Sequence, residues 1–213
     1  MTTATRPEAT DEPNRRPYSN GVRRREEIVR AATDVFGEFG YAGGSIRAIA
    51  ARVGVSPATL LQHFGSKEGL LLAVLEEWSH RTTAASLEGS SGLAFFRRFP
   101  EVMQFHIDNR GLLELFTTSA AEASSPSHPA REFIRRRYVD SMGNLCGHLA
   151  QAVADGEIAP LTPAEIEREA RLLTAMLDGI GLQWLLDSST DMVGDATFYI
   201  DDTIARWQHP RTT

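Results

Sequence analysis

From Gly21 onward, apolar residues recur at helical spacing almost without a break, and no window sustains the period-2 alternation of a half-buried strand. That pattern confines the chain to an all-α architecture. Ile28, Ala32, Val35, Phe36 and Phe39 fall on one face of a first helix, which Gly40, Gly43 and Gly44 end. Ile46, Ile49, Ala50 and Val53 define a short second helix, stopped by Gly54. Ser56-Pro57 then reads as an N-cap with proline at the first helical position, opening a third short helix that runs to about Phe64. Ser66 caps a fourth, with Leu70, Leu71, Val74, Leu75 and Trp78 inward and Glu68 in the first turn, where the helix dipole favours an acid. After a break at Leu87 to Gly92, five more helices are predicted, at about 93–108, 111–123, 129–155, 163–187 and 191–207. Thr162-Pro163-Ala164-Glu165 is a capping box with proline at N1. The total is about nine helices.

Residues 1–20 carry three prolines among polar residues and read as a disordered arm. The rest divides at the 87–92 break into segments 21–86 and 87–213. Hydrophobic residues make up 42% of the chain, enough for a buried core. A single cysteine, Cys146, rules out an internal disulfide and suits a reducing compartment. No stretch approaches the roughly 20 apolar residues of a membrane span, and no apolar leader opens the chain. A cytoplasmic location is expected. The net charge of −6 is unevenly spread: residues 1–72 carry +2 and residues 73–213 carry −8. Lys67, the one lysine beside 21 arginines, lies in the basic end.

Two short helices joined by Gly54-Val55-Ser56 form a helix-turn-helix pattern at about 45–64. The glycine permits a left-handed backbone, Val55 plugs the core between the helices, and Ser56 caps the next one. Such a unit projects the start of its third helix into a DNA major groove. The same spacing also suits an ordinary turn in a helical bundle.

Gly40-Tyr41, Ser45-Ile46-Arg47-Ala48-Ile49-Ala50, Gly54-Val55-Ser56, Thr59-Leu60, His63-Phe64 and Ser66-Lys67-Glu68 together resemble the tetracycline-repressor (TetR) family. The run Ala170 to Asp187 is similar to that family's penultimate helix. The resemblance implies a dimeric transcriptional regulator, with a DNA-binding domain at 21–86 and a ligand-binding and dimerisation domain at 87–213. It implies DNA contacts from Ser45, Arg47, Ser56, Pro57, Ala58, Thr59, Gln62, His63 and Lys67. Arg47 suits a guanine edge, Thr59 and Gln62 are the polar readers of the third helix, and His63 and Lys67 match phosphate-contacting positions. Arg15, Arg16 and Arg23 to Arg25 add positive charge, as an arm on DNA or as a solvated face of the first helix. Three positions depart from the pattern. Leu61 replaces a usual aromatic; it can touch a thymine methyl or simply pack, and packing is expected. Gly44 replaces a frequent Thr, which leaves Ser45 as the cap, and Ala48 replaces a frequent acid.

No enzyme constellation emerges. The histidines at 63, 80, 106, 128, 148 and 209 show no i, i+3 or i, i+4 pair for a metal, and Gly37 to Gly44 lacks phosphate-loop spacing. No catalytic residue, metal or cofactor is expected. The resemblance implies a cavity for a small apolar or amphipathic effector, with candidates Phe99, Met103, His106, Phe116, Met142, Cys146, Met176 and Trp184. Each is equally suited to plain core packing.

The 163–187 helix is apolar on two sides and must be covered on both. The last helix brings Met192, Ala196, Ile200, Ile204 and Trp207. Pairing of these two helices with their copies predicts a four-helix interface at Leu172, Met176, Gly179, Leu186, Ile200, Ile204 and Trp207. The reading is a ligand-responsive repressor that binds a palindromic operator as a homodimer. The alternatives are a constitutive DNA-binding protein and an all-α enzyme with a vestigial helix-turn-helix.

Overall fold

The computed structural model describes residues 16–86 and 89–209. They form ten helices and no strand: α1 (Arg16–Gly43), α2 (Ile46–Val53), α3 (Pro57–Phe64), α4 (Lys67–Ser86), α5 (Gly92–Phe96), α6 (Phe99–Asp108), α7 (Arg110–Glu122), α8 (Arg131–Ala154), α9 (Pro163–Leu186) and α10 (Met192–Gln208). The fold is all-α, as the periodicity requires.

Two boundaries differ from the sequence reading. Helix α1 starts at Arg16, so residues 16–20 are helical and only residues 1–15 of the expected arm lie outside the described residues. The expected helix at 93–108 is two helices, because Pro100 falls in the first turn of α6. Its ring cannot continue a helix arriving from α5, and the chain turns at Arg97-Arg98. At Gly40 the backbone adopts φ 68°, ψ 172°, which breaks α1 where the glycine cluster predicted an end.

Two apolar cores hold the helices. The first is built from α1 to α4, with Ile28, Phe36, Ile49, Leu60 and Trp78 almost fully buried. It also takes Leu112, Leu115 and Phe116 from α7 and Phe133 and Ile134 from α8. It therefore extends across the 87–92 break. The second gathers α5, α6, α8, α9 and α10 around Phe96, Leu149, Leu173 and Ile200.

The stripe on α10 is part of that second core. Ile200, Ile204 and Trp207, expected to face a partner chain, are 2–3% exposed. Helix α6, which follows the turn at Arg97-Arg98, packs against α10 and supplies that cover. Trp207 meets Phe96 edge-on at 5.1 Å and donates its indole N–H to Glu169 at 2.9 Å.

Candidate functional site

Helices α2 and α3 are fixed by local capping. Ser45 accepts from the Ala48 N–H and Ser56 from the Thr59 N–H, both at 3.1 Å. Between them Gly54 is left-handed (φ 66°), and its N–H reaches back to Ala50 and Ala51. A side chain there would be strained, since L residues rarely adopt that φ. Leu60 and Ile49 anchor the inner faces, each 0% exposed. The outer face carries exposed Pro57, Ala58, Gln62 and His63, with Arg47 exposed on α2 beside exposed Ser45 and Ser56. Thr59 is half-buried and shares its hydroxyl with Ser56 at 2.9 Å. Leu61 does not pack as expected. It is 43% exposed, because it lies about 100° round the helix from the buried Leu60 and so off the inner face.

Gly44 is set by packing: a Cβ there would come within 2.6 Å of the Phe36 ring. Lys67 is half-buried, with its ammonium 4.5 Å from the Tyr41 ring centroid and 3.2 Å from the Ala42 carbonyl. Tyr41 in turn donates to Glu68 at 2.9 Å. Burial first, then the Glu68 carboxylate, pushes the phenol up to about 12. These bonds tie the start of α4 to the last turn of α1. Arg23 and Arg24 pair with Glu27, and Arg25 lies over Phe64 at 5.4 Å, so this triplet is engaged on the face of α1. Arg15 lies outside the described residues.

A cavity of about 460 Å³ opens between α4, α6, α7, α8 and α9. Trp78 and Phe116 stack at 4.2 Å on one wall. The Arg137 guanidinium lies over both rings, 4.3 Å from Trp78 and 5.1 Å from Phe116, and donates to the Ser79 hydroxyl at 3.1 Å. Tyr138, the next residue on α8, donates to Asp178 at 2.7 Å. Burial raises the Asp178 carboxyl from its ordinary value against the opposing pull of Tyr138 and Arg137, and lowers the Arg137 guanidinium, a shift that Asp178 opposes. His106 is pushed down to about 4, by burial first and Arg137 second, so its imidazole is neutral at pH 7. Its Nε2 is buried with no hydrogen-bond partner among the described residues, as is the Trp78 Nε1.

Of the eight effector candidates, Phe99, Met103, His106 and Phe116 line this cavity. Met142 and Cys146 line an adjoining open groove of about 940 Å³ between α8 and α9, which shares Tyr138, Thr174 and Asp178 with the cavity, and burial raises the Cys146 thiol there. Met176 packs half-buried against the second core. Trp184 is buried in that core, and Arg110 covers its ring at 5.0 Å. Sequence reasoning missed Arg137, Asp178 and the cavity role of Trp78. In Arg135-Arg136-Arg137 charge alone separates none of the three. The inward spacing of Ile134, Tyr138, Ser141 and Leu145 along α8 does carry a signal, since it places residue 137 beside the same face. Among the described residues no group of three His, Cys, Asp or Glu side chains is arranged to hold a metal ion, and no helix is long and apolar enough to cross a membrane.

One face of α9 is apolar and left uncovered by the described residues. Leu172, Leu182 and Leu186 are 51%, 46% and 80% exposed. With Ala175 and Gly179 between them they repeat at intervals of three and four residues. Phe198 on α10 is also exposed, at 76%.

Comparison with known proteins agrees with this arrangement. Residues 28–74 match the bacterial regulatory proteins of the tetR family, and residues 103–206 match the C-terminal domain of BetI-type transcriptional repressors. Together the two matches cover more than two thirds of the chain. The HTH-type transcriptional regulator UidR of Escherichia coli is 37% identical over 71 residues, 33% of this chain and only 36% of the relative. The chain thus spans about a third of that relative. The HTH-type transcriptional repressor AcnR of Corynebacterium glutamicum is 24% identical over 186 residues, 85% of this chain and 93% of the relative. A protein of Saccharomonospora viridis, solved in complex with choline, shares the fold with a TM-score of 0.72 at 21% identity, covering 86% of this chain and 96% of that one. With a capped helix-turn-helix at one end, a walled cavity at the other and both family matches in register with them, the chain belongs to the TetR family of bacterial regulatory proteins.

Proposed function

We propose that the protein is a transcriptional repressor that binds operator DNA as a homodimer and releases it when a small molecule enters the cavity. The observation that carries this reading is the continuity of α4. The helix begins at Lys67, directly after α3, and runs unbroken to Trp78 on the cavity wall. The eleven residue steps from Lys67 to Trp78 span roughly 16 Å of helix. Any ligand that displaces Trp78 tilts the element on which α3 sits. Ligand and DNA affinities are then coupled, reciprocally and by the same factor.

Arg47 on α2 and Gln62 on α3 are the base readers in this proposal, with Thr59 half-buried behind them. Ser45, Ser56, Pro57, Ala58, His63 and Lys67 make the shape and backbone contacts. The dimer forms through the exposed α9 face of Leu172, Gly179, Leu182 and Leu186, with Phe198 beside it. A twofold axis there sets two α3 helices to read half-sites about one helical turn apart or a multiple of it. The reading is supported by the match to repressor C-terminal domains and by the choline complex of a fold neighbour, in which the same architecture holds a small molecule.

A mobility-shift titration with the DNA flanking the protein's own gene tests it. The expected result is a discrete complex at a palindromic site with the stoichiometry of a dimer. Binding no tighter than to random DNA would overturn the proposal.

A further inference from the structure

We propose that the cavity takes a carboxylate-bearing amphiphile, with the anionic head at Arg137 and the apolar body along Phe95, Phe99, Met103 and Leu113. This rests on the reading of the cavity as the effector site and adds the charge and shape of what fills it.

The chain has brought a guanidinium under cover, and among the described residues no carboxylate lies at ion-pairing distance from it. Its direct partners are a serine hydroxyl and two aromatic faces, and the Asp178 carboxylate acts on it only through longer-range charge. An arginine presents five N–H groups in a fork that matches a carboxylate in bidentate fashion. The one acidic group on the wall, Asp178, already receives the Tyr138 hydroxyl. Two further groups point the same way. The Trp78 Nε1 can only donate, and the neutral His106 Nε2 can donate in one tautomer. Both are buried with no partner among the described residues, a costly state that a ligand acceptor would relieve. The Trp78 N–H therefore lacks an acceptor, and the His106 Nε2 lacks one in the tautomer that protonates it.

The same arrangement argues against a cationic ligand. A quaternary ammonium is held by the faces of aromatic rings. Here the faces of Trp78 and Phe116 are already covered by the chain's own cation, at 4.3 and 5.1 Å. A second positive charge would meet like charge at short range. The lining also includes Phe95, Phe99, Val102, Met103 and Leu113 beside a few hydroxyl and amide groups, which asks for a mainly apolar body. The volume, about 460 Å³, falls within the roughly 300–1,000 Å³ usual for small-molecule sites.

Three probes with one chain and different heads test this: decanoate, decanol and decyltrimethylammonium, titrated calorimetrically into the intact protein below their micelle concentrations. Decanoate is expected to bind at least ten-fold tighter than either of the others. Arg137→Met should reduce decanoate to the affinity of decanol. Arg137→Lys keeps the charge without the fork and should retain part of the preference, which separates a failure of recognition from a failure of folding. Equal binding of the three, tightest binding of the ammonium, or no binding of any overturns the inference. A mobility shift on the same preparations keeps the two readings apart. DNA binding without carboxylate preference sinks only the ligand class, and carboxylate preference without DNA binding sinks only the regulator.

Discussion

A Cβ placed on Gly37 would lie 3.2 Å from the carbonyl oxygen of Gly111 and 3.3 Å from its Cα, so α1 and α7 cross with their backbones nearly touching. The relation is one-sided, since a Cβ on Gly111 meets nothing within 4 Å among the described residues. Gly37→Val should therefore force the helices apart and cost about 1–3 kcal/mol, as overpacking usually does. Gly111→Ala should be neutral or slightly stabilising, because it only restricts the unfolded chain. Urea denaturation of the two variants checks this, and similar midpoints for both would refute the close crossing.

Arg47 and Lys67 are expected to fail differently on DNA. Arg47 stands exposed on α2, free to reach a base edge, so Arg47→Ala should cost roughly 1–3 kcal/mol per half-site and relax the preference at one base pair. Lys67 is already bonded to the Ala42 carbonyl. Lys67→Ala should weaken all sequences alike and flatten the salt dependence by about one unit for each phosphate that is no longer neutralised. Operator variants measured at several salt concentrations distinguish the two, and an unchanged ranking in Arg47→Ala removes it as a reader.

Gly179 sits mid-face on α9 with open space above it. A Cβ at Gly179 meets nothing within 4 Å among the described residues, but the glycine also lines the cavity, so melting curves of Gly179→Arg beside the wild type separate an assembly defect from a folding defect. The wild type is expected to sediment as a dimer at micromolar concentration and the variant as a 23.4 kDa monomer. A monomeric wild type would exclude the α9 interface.

His106 predicts an acid-side loss of stability. Its folded-state pKa, about 4, lies below the ordinary 6.5. The unfolded chain takes up the proton first, so stability is intact above pH 6.5 and declines as the pH falls toward 4. A shift of this size corresponds to roughly 3 kcal/mol at most. Asp178 works in the opposite sense, because burial raises its carboxyl and the folded state then binds the proton more readily. Comparison of the wild type with His106→Gln isolates the histidine: the variant should lose less between pH 6.5 and 4.5. Parallel melting curves for the two proteins would show that the imidazole is not held neutral.

The helix-turn-helix was legible because its signals are local. Ser45, Gly54, Ser56 and Ser66 act on backbone groups within four residues of themselves, and a linear sequence displays such distances directly. The cavity was half legible. Phe99, Met103, His106 and Phe116 are large residues on the inward faces of their own helices, whereas Arg137 reads as surface charge until α4 and α7 are packed against it. The assignment of Ile200, Ile204 and Trp207 to a partner failed for a different reason. Periodicity reports that a stripe is covered and not by what, and the cover proved to be α6.

The first core has a consequence for modularity. Leu112, Leu115 and Phe116 of α7, with Phe133 and Ile134 of α8, complete the cluster that holds α1 to α4 together. A chimera joined after Ser86 would hand its new DNA-reading head to a foreign α7, whose side chains were shaped against another α1. The transplantable unit in this protein is discontinuous in sequence, and exchange of operator specificity is better made by grafting the exposed residues of α2 and α3 than by swapping the whole head.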